Sequence, residues 1–225
     1  ISVNININTG NGTSTGNATI ANPSVHNMYH CLRLYFDNGG GPCYIISIGT
    51  TPSPLDPNDF IGGLNVLAAS DEPTIIVFPE GQSLGEAAYY NTVISQAIEQ
   101  CRVLQDRFTL VDIHHSLPVS IGSPIEPSPV NTTGTINNFR EQFLRNNDLN
   151  YAAAYYPNLK TTLDYSYLLT DVDINVTTDG VAEPTATLDT FQSSRTSIYN
   201  LALDRIRNLL SPTLPPSAAS AGIYA

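Results

Sequence analysis

Apolar and polar positions along the chain follow two periods, and the switches between them predict the elements. Residues 2 to 8, Ser-Val-Asn-Ile-Asn-Ile-Asn, alternate strictly, as in a strand with one wet face, and are expected at a sheet edge or paired with another chain. Residues 9 to 22, with three glycines among Asn and Thr, read as a loop. From residue 24 the period becomes helical: Val25, Met28, Tyr29, Leu32, Tyr35 and Phe36 share one face. Ser24 can cap the start, and Asn38-Gly39 can supply a left-handed stop. Cys43 to Ile48 is nearly all apolar, which predicts a strand covered on both faces in a parallel sheet.

Asp56 as N-cap and Pro57 at the first helical position open a helix to about Ala69, weakened by Gly62 and Gly63. Thr74 to Phe78 is a second apolar strand, closed by Pro79. A long helix over Gly85 to Leu104 carries Ala87, Tyr90, Ile94, Ala97, Ile98, Cys101 and Leu104 on one face, and Arg107 to Ile113 is a third strand. His114 to Val130 is an irregular, proline-rich connection. A helix over Thr135 to Asn146 and a fourth strand over Tyr151 to Tyr156 follow. Lys160 to Val176 is strand-like, 177 to 187 is a polar loop, and Ser194 to Leu210 is a last helix with Ile198, Leu201, Ala202, Arg205, Ile206 and Leu209 inward.

This alternation of helix and strand predicts an α/β fold, a mainly parallel sheet with helices on both faces and right-handed crossovers, plus a strand-rich elaboration. The expected organisation is an N-terminal strand and loop at 1–22, an α/β domain at 23–160, a strand and loop elaboration at 161–192, and a closing helix with the start of a further core at 193–225.

A chain of 225 residues can bury one substantial core with an elaboration. Nine basic against 20 acidic residues give a net charge of -11, which argues against a nucleic-acid partner. Charged residues are only 13% of the chain, while Asn, Thr, Ser, Pro and Gly abound, a balance that suits surfaces meeting neighbours. Cys31, Cys43 and Cys101 have neither metal spacing nor an even disulfide count, and read as small buried apolar residues of a reducing compartment. No apolar run is long enough to span a bilayer, and no signal peptide is recognisable. The glycosylation triplets at Asn11, Asn17, Asn131 and Asn175 are the chance product of an Asn- and Thr-rich chain.

Candidate chemistry centres on Asp112, His114 and His115 at the end of the third strand, where open α/β sheets place ligands and an acidic neighbour can orient a histidine. Adjacent histidines on extended backbone point opposite ways, which disfavours a joint metal site, and no nucleophile, base and orienter set accompanies them. Gly39 to Gly41 follow a helix and open a strand, the reverse of a phosphate loop, so they read as a helix stop and tight turn. Asp171, Asp173 and Asn175 imitate a calcium loop without its glycine or distal glutamate. Tyr151, Tyr155, Tyr156, Tyr165 and Tyr167 form an aromatic group expected in a core or a subunit interface. No catalytic, cofactor-binding or metal residue is assigned, and no cofactor is expected.

The segment Leu34-Tyr35-Phe36-Asp37-Asn38-Gly39-Gly40-Gly41-Pro42-Cys43-Tyr44-Ile45-Ile46 resembles the F-F-x-N-G-G-G-x-C-Y-[VI]-[VI] signature of contractile tail sheath proteins of phages and phage-tail-like injection systems. Three further segments follow in that family's order. Asp71 to Glu80 looks like its strand ending in Pro-Asp or Pro-Glu. Ala152 to Lys160 is similar to A-x-Y-Y-P-W-L-K, with Asn158 where tryptophan is common, and Leu214 to Ala225 is similar to P-P-S-x-x-x-A-G-[VI]-Y-A.

The resemblance implies a structural protein and not an enzyme: a sheath subunit forming hexameric discs stacked helically around an inner tube, which contract to drive the tube through a target envelope. Expected partners are copies of itself, the tube protein, and baseplate and terminator or cap proteins, without nucleic acid or membrane insertion. Assembly in the bacterial cytoplasm, as part of a phage tail or a phage-tail-like particle, is implied. So is a C-terminal sheath domain beyond Ala225, this chain being the outer part of the subunit and the start of its core. The alternative from the residues alone is an α/β binding module or hydrolase using Asp112, His114 and His115.

Overall fold

The computed structural model describes residues 3–10, 13–20, 26–50, 54–114, 132–143, 148–163, 167–210 and 212–225. The chain divides into two compact units. One gathers 1–24, 120–124 and 160–213, and the other 25–119, 125–159 and 214–225.

The first unit is a five-stranded mixed sheet under two helices. Alternation along β1 (Val3–Gly10) sends Ile5 and Ile7 into the core and Asn4, Asn6 and Asn8 to the other face. β7 (Val172–Thr178) repeats the pattern with Val172, Ile174 and Val176, and pairs parallel to β1 with Ile5 opposite Ile174. Instead of lying at an edge, β1 is flanked on both sides. Its other neighbour is β2 (Thr13–Ile20), an antiparallel strand where a loop is expected. β2 was hidden in the sequence by its polarity: Thr15, Asn17 and Thr19 stand opposite Asn8, Asn6 and Asn4, and Ala18 packs against the core.

The expected polar loop also contains strands. β8 (Val181–Ala182) and β9 (Ala186–Thr187) both pair antiparallel with β7. α6 (Leu188–Ser194) and α7 (Thr196–Leu210) close the core with Leu188, Phe191, Ile198, Ala202 and Ile206. Of the positions expected to face inward, Leu201 and Arg205 are half-buried, and the Leu209 side chain lies outside the described residues. α7 therefore belongs with the N-terminal strand and the 161–192 segment, and does not form a closing piece with 214–225. β6 (Leu159–Lys160) and β10 (Thr213–Leu214) form a separate two-stranded ladder.

The second unit holds the parallel sheet, three strands in the order β3 (Ile75–Ile76), β4 (Phe108–Asp112), β5 (Ala152–Tyr155). The molecule is thus mixed α/β, and the mainly parallel arrangement holds only for this smaller sheet. α1 (Met28–Asp37) starts after Asn27, and the expected cap Ser24 lies outside the described residues. α2 (Pro57–Leu67) starts as its sequence predicts, the Asp56 carboxylate accepting the Asn58 N–H at 2.8 Å. The long helix runs through α3 (Glu86–Ala88), a π-helical stretch over Tyr89–Ile94 and α4 (Ser95–Leu104). Tyr89, Tyr90, Val93, Ile94, Ala97, Ile98 and Cys101 fill the core with Phe60, Leu64 and Phe143 of α5 (Thr132–Phe143).

Cys43 to Ile48 departs from expectation. It is not a strand: Cys43, Tyr44 and Ile45 are exposed, and only Ile46 and Ile48 turn inward, against Gly63 of α2. An apolar run is compatible with one covered face as well as two, and here the covering element is a helix on one side. Residues 216–224 form α8 (Pro216–Tyr224), with Pro216 at its first position and Ser217, Ala218, Ala219 and Ala221 buried.

Candidate functional site

β4 ends on Asp112, at the edge where a parallel sheet offers its strand ends. The backbone N–H of Asp112 donates to Tyr89 Oη at 3.2 Å, and that of His114, two residues on, donates to Tyr90 Oη at 2.6 Å. These consecutive tyrosines lie in the π-helical stretch, whose wider turn faces both hydroxyls toward the strand end. Each thereby satisfies a backbone donor that the short sheet leaves open.

The Asp112 side chain is 1% exposed. Its Oδ1 accepts the Ser217 N–H at 2.9 Å and its Oδ2 accepts the Ser217 hydroxyl at 2.6 Å, so Asp112 caps α8 from 105 residues away. Burial pushes its carboxyl up to about 7, against the opposing pull of the two Ser217 hydrogen bonds. Around it, burial also raises the Tyr89, Tyr90 and Cys31 groups, so none of these carries charge near neutrality. His114 is buried, its pKa lowered by desolvation, and its Nε2 lies 2.8 Å from Leu84 O. A neutral imidazole with its proton on Nε2 fits that carbonyl. Asp112 and His114 thus sit together at the strand end, but Asp112 serves Ser217 and His114 the Leu84 carbonyl, and His115 lies outside the described residues.

Around this point the four segments carrying the sheath resemblance converge, all but Lys160 within the second unit. The glycine turn ends α1 as expected: Gly39 has φ +99°, open only to glycine without strain, and the Gly40 N–H donates to Tyr35 O at 3.1 Å. A β-carbon on Gly40 would collide with the Tyr35 ring. One on Gly222 of α8 would collide with the Tyr35 carbonyl oxygen and stand 3.2 Å from Asn38 Cβ. The A-G-I-Y-A segment is therefore pressed backbone-to-backbone on the end of α1. Tyr224 Oη meets Tyr155 Oη of β5 at 2.7 Å.

Asn158, in the tryptophan position, exchanges two amide hydrogen bonds of 3.2 Å with the buried Gln82, whose Nε2 also lies 3.3 Å from Ile113 O. Glu80, closing the second segment, accepts from or pairs with His26 Nδ1 at 3.0 Å.

The tyrosine group is not one cluster: Tyr151 packs on the second unit's core, Tyr167 on the first unit's, and Tyr165 lies outside the described residues. Cys31 and Cys101 are buried, but Cys43 is exposed, contrary to expectation. Asp171, Asp173 and Asn175 belong to the start of β7 and the turn before it. Among the described residues no group of His, Cys, Asp and Glu is arranged to hold a metal, and no helix is long and apolar enough to cross a membrane.

The sequence placed Tyr90 on a buried helix face and Ser217 and Gly222 in a family-like segment but not against their partners, and it did not single out Tyr89. Nothing in the sequence linked Ser217 to Asp112. Compared with protein-family models and with curated proteins, the chain finds no match.

Proposed function

We propose that this chain is a structural subunit of a contractile sheath, of a phage tail or a phage-tail-like injection system, and works by polymerising with copies of itself around an inner tube. The observation that carries the reading is the contact between the Gly39 to Gly41 turn and Gly222. Two segments that resemble the sheath signature, far apart in sequence, meet there: Gly222 lies against Tyr35 and Asn38, where a β-carbon on it would strike the Tyr35 carbonyl oxygen, and Gly39 holds a φ of +99° that favours glycine. The shared contact gives both motifs one physical reason. The Asp112 cap on Ser217 and the Tyr155–Tyr224 pair bring a third family-like segment, Ala152 to Lys160, and the neighbouring strand β4 to the same place.

Contraction in this reading is a change between two packings of the same subunits, driven by energy stored at assembly, and needs no cofactor. The partners follow: neighbouring copies, a tube protein, and baseplate and terminator or cap proteins, assembled in a bacterial cytoplasm. The second reading, a binding module or hydrolase at Asp112, His114 and His115, has less behind it because both Asp112 oxygens are occupied by Ser217.

High-speed sedimentation of the full-length protein separates these readings. A sheath subunit pellets as a long polymer, a terminator or baseplate part sediments as a single ring, and a hydrolase stays small at all salt concentrations.

A further inference from the structure

Asp112 presents a buried carboxyl whose two oxygens touch one residue, Ser217, through a backbone N–H at 2.9 Å and a hydroxyl at 2.6 Å. Among the described residues no cation forms an ion pair with it. The titratable groups facing it are Tyr89 and Tyr90 from the π-helical stretch, Cys31 from α1, and beyond Cys31 the Glu80 carboxylate beside His26. His114 follows on its own strand end, its pKa lowered by burial. None offers a compensating positive charge at the Asp112 oxygens, so an ionised carboxylate keeps only the two hydrogen bonds and the α8 N-terminus in its favour.

Protonation costs neither contact. The protonated carboxyl still accepts the Ser217 N–H on Oδ1, and its O–H can donate to the Ser217 oxygen as the serine hydroxyl turns away. Ionisation keeps the same geometry but leaves an uncompensated charge out of water.

We propose that the Asp112–Ser217 contact is a proton-sensitive clamp, which holds α8 onto β4 and the end of α1 more firmly when the carboxyl is protonated than when it is ionised. The carboxyl stands at about 7 in the folded chain against an ordinary 3.8. Because the folded value is the higher one, the stabilisation is complete below about 4. It falls as pH rises toward 7, and is constant above that. The device therefore tightens α8 on mild acidification around neutrality, and does not depend on the sheath reading.

Hydrogen exchange of the α8 amides, corrected for the intrinsic pH dependence, reads the opening of the clamp. In the wild-type chain the opening constant rises roughly tenfold per pH unit between pH 5 and 7 and levels off above. In Asp112→Asn, which keeps the size and one acceptor but cannot ionise, it stays flat. A flat wild-type profile, or an Asn variant that follows the wild type, overturns the proposal.

Should the Asn variant fail to fold, infrared spectroscopy of the wild type decides alone. At pH 6 the exposed carboxylates are ionised, and the clamp requires one protonated carboxyl band that titrates near neutrality. Ser217→Ala, which removes a hydrogen bond favouring the ionised form, moves that titration upward. Absence of the band, or a titration indifferent to Ser217→Ala, overturns it.

Discussion

A β-carbon is the smallest probe of the contact on which the account turns. At Gly222 it would run into the Tyr35 carbonyl oxygen, a backbone atom fixed by α1, whereas at Gly41 it would meet nothing within 4 Å. Gly222→Ala is therefore expected to destabilise the second unit by about 1–3 kcal/mol, while Gly41→Ala stays within about 0.5 kcal/mol of wild type. Urea denaturation of the two variants measures the difference, and equal midpoints would show that the helices can part at no cost. Gly40→Val is expected to impair folding, and with it assembly of the full-length protein, since its β-carbon would strike the Tyr35 ring. These glycines were legible as punctuation in the sequence. Their partners were not, because the distance between residues 35 and 222 is closed only by the fold.

The elements show where hydrophobic pattern suffices and where it fails. α2 and the long helix were readable because Asp56-Pro57 and the spacing from Tyr90 to Cys101 encode their start and buried face locally. β2 was not, since seven of its eight residues are polar, small or glycine, and its identity comes from pairing with β1. The neighbours of β1 were equally hidden: Ile5 and Ile7 reveal an inward face, but alternation is the same for a central strand and an edge.

The π-helical stretch has a use that no periodicity announces, turning Tyr89 and Tyr90 toward the end of β4. Tyr90→Phe would strand the buried His114 N–H and is expected to cost about 1–3 kcal/mol in urea denaturation. A neutral result would mean that another acceptor reaches it. Cys43 supplies a simpler check on its segment. A maleimide reagent is expected to modify Cys43 in the folded chain while Cys31 and Cys101, buried with their thiol pKa raised, react only after unfolding. Protection of Cys43 in the isolated chain would mean that residues 43–48 are covered.

For the whole molecule, the parallel sheet belongs to the unit in which the sheath-like segments meet, and the mixed sheet to a unit assembled from both sides of it in sequence. Sequence order concealed the mixed-sheet unit, because β1 and β7 lie far apart in the chain yet pair directly. The candidate chemistry at Asp112 was legible as a position and misleading as a role: the strand end is where ligands bind in open sheets, but here α8 stands on it. What remains is the claim that such subunits build a sheath. Negative-stain electron microscopy of the full-length protein tests it most directly. The account predicts long hollow tubes of uniform diameter with sixfold symmetry in end view, and particles that remain monomeric or form only single rings under all salt conditions would contradict it.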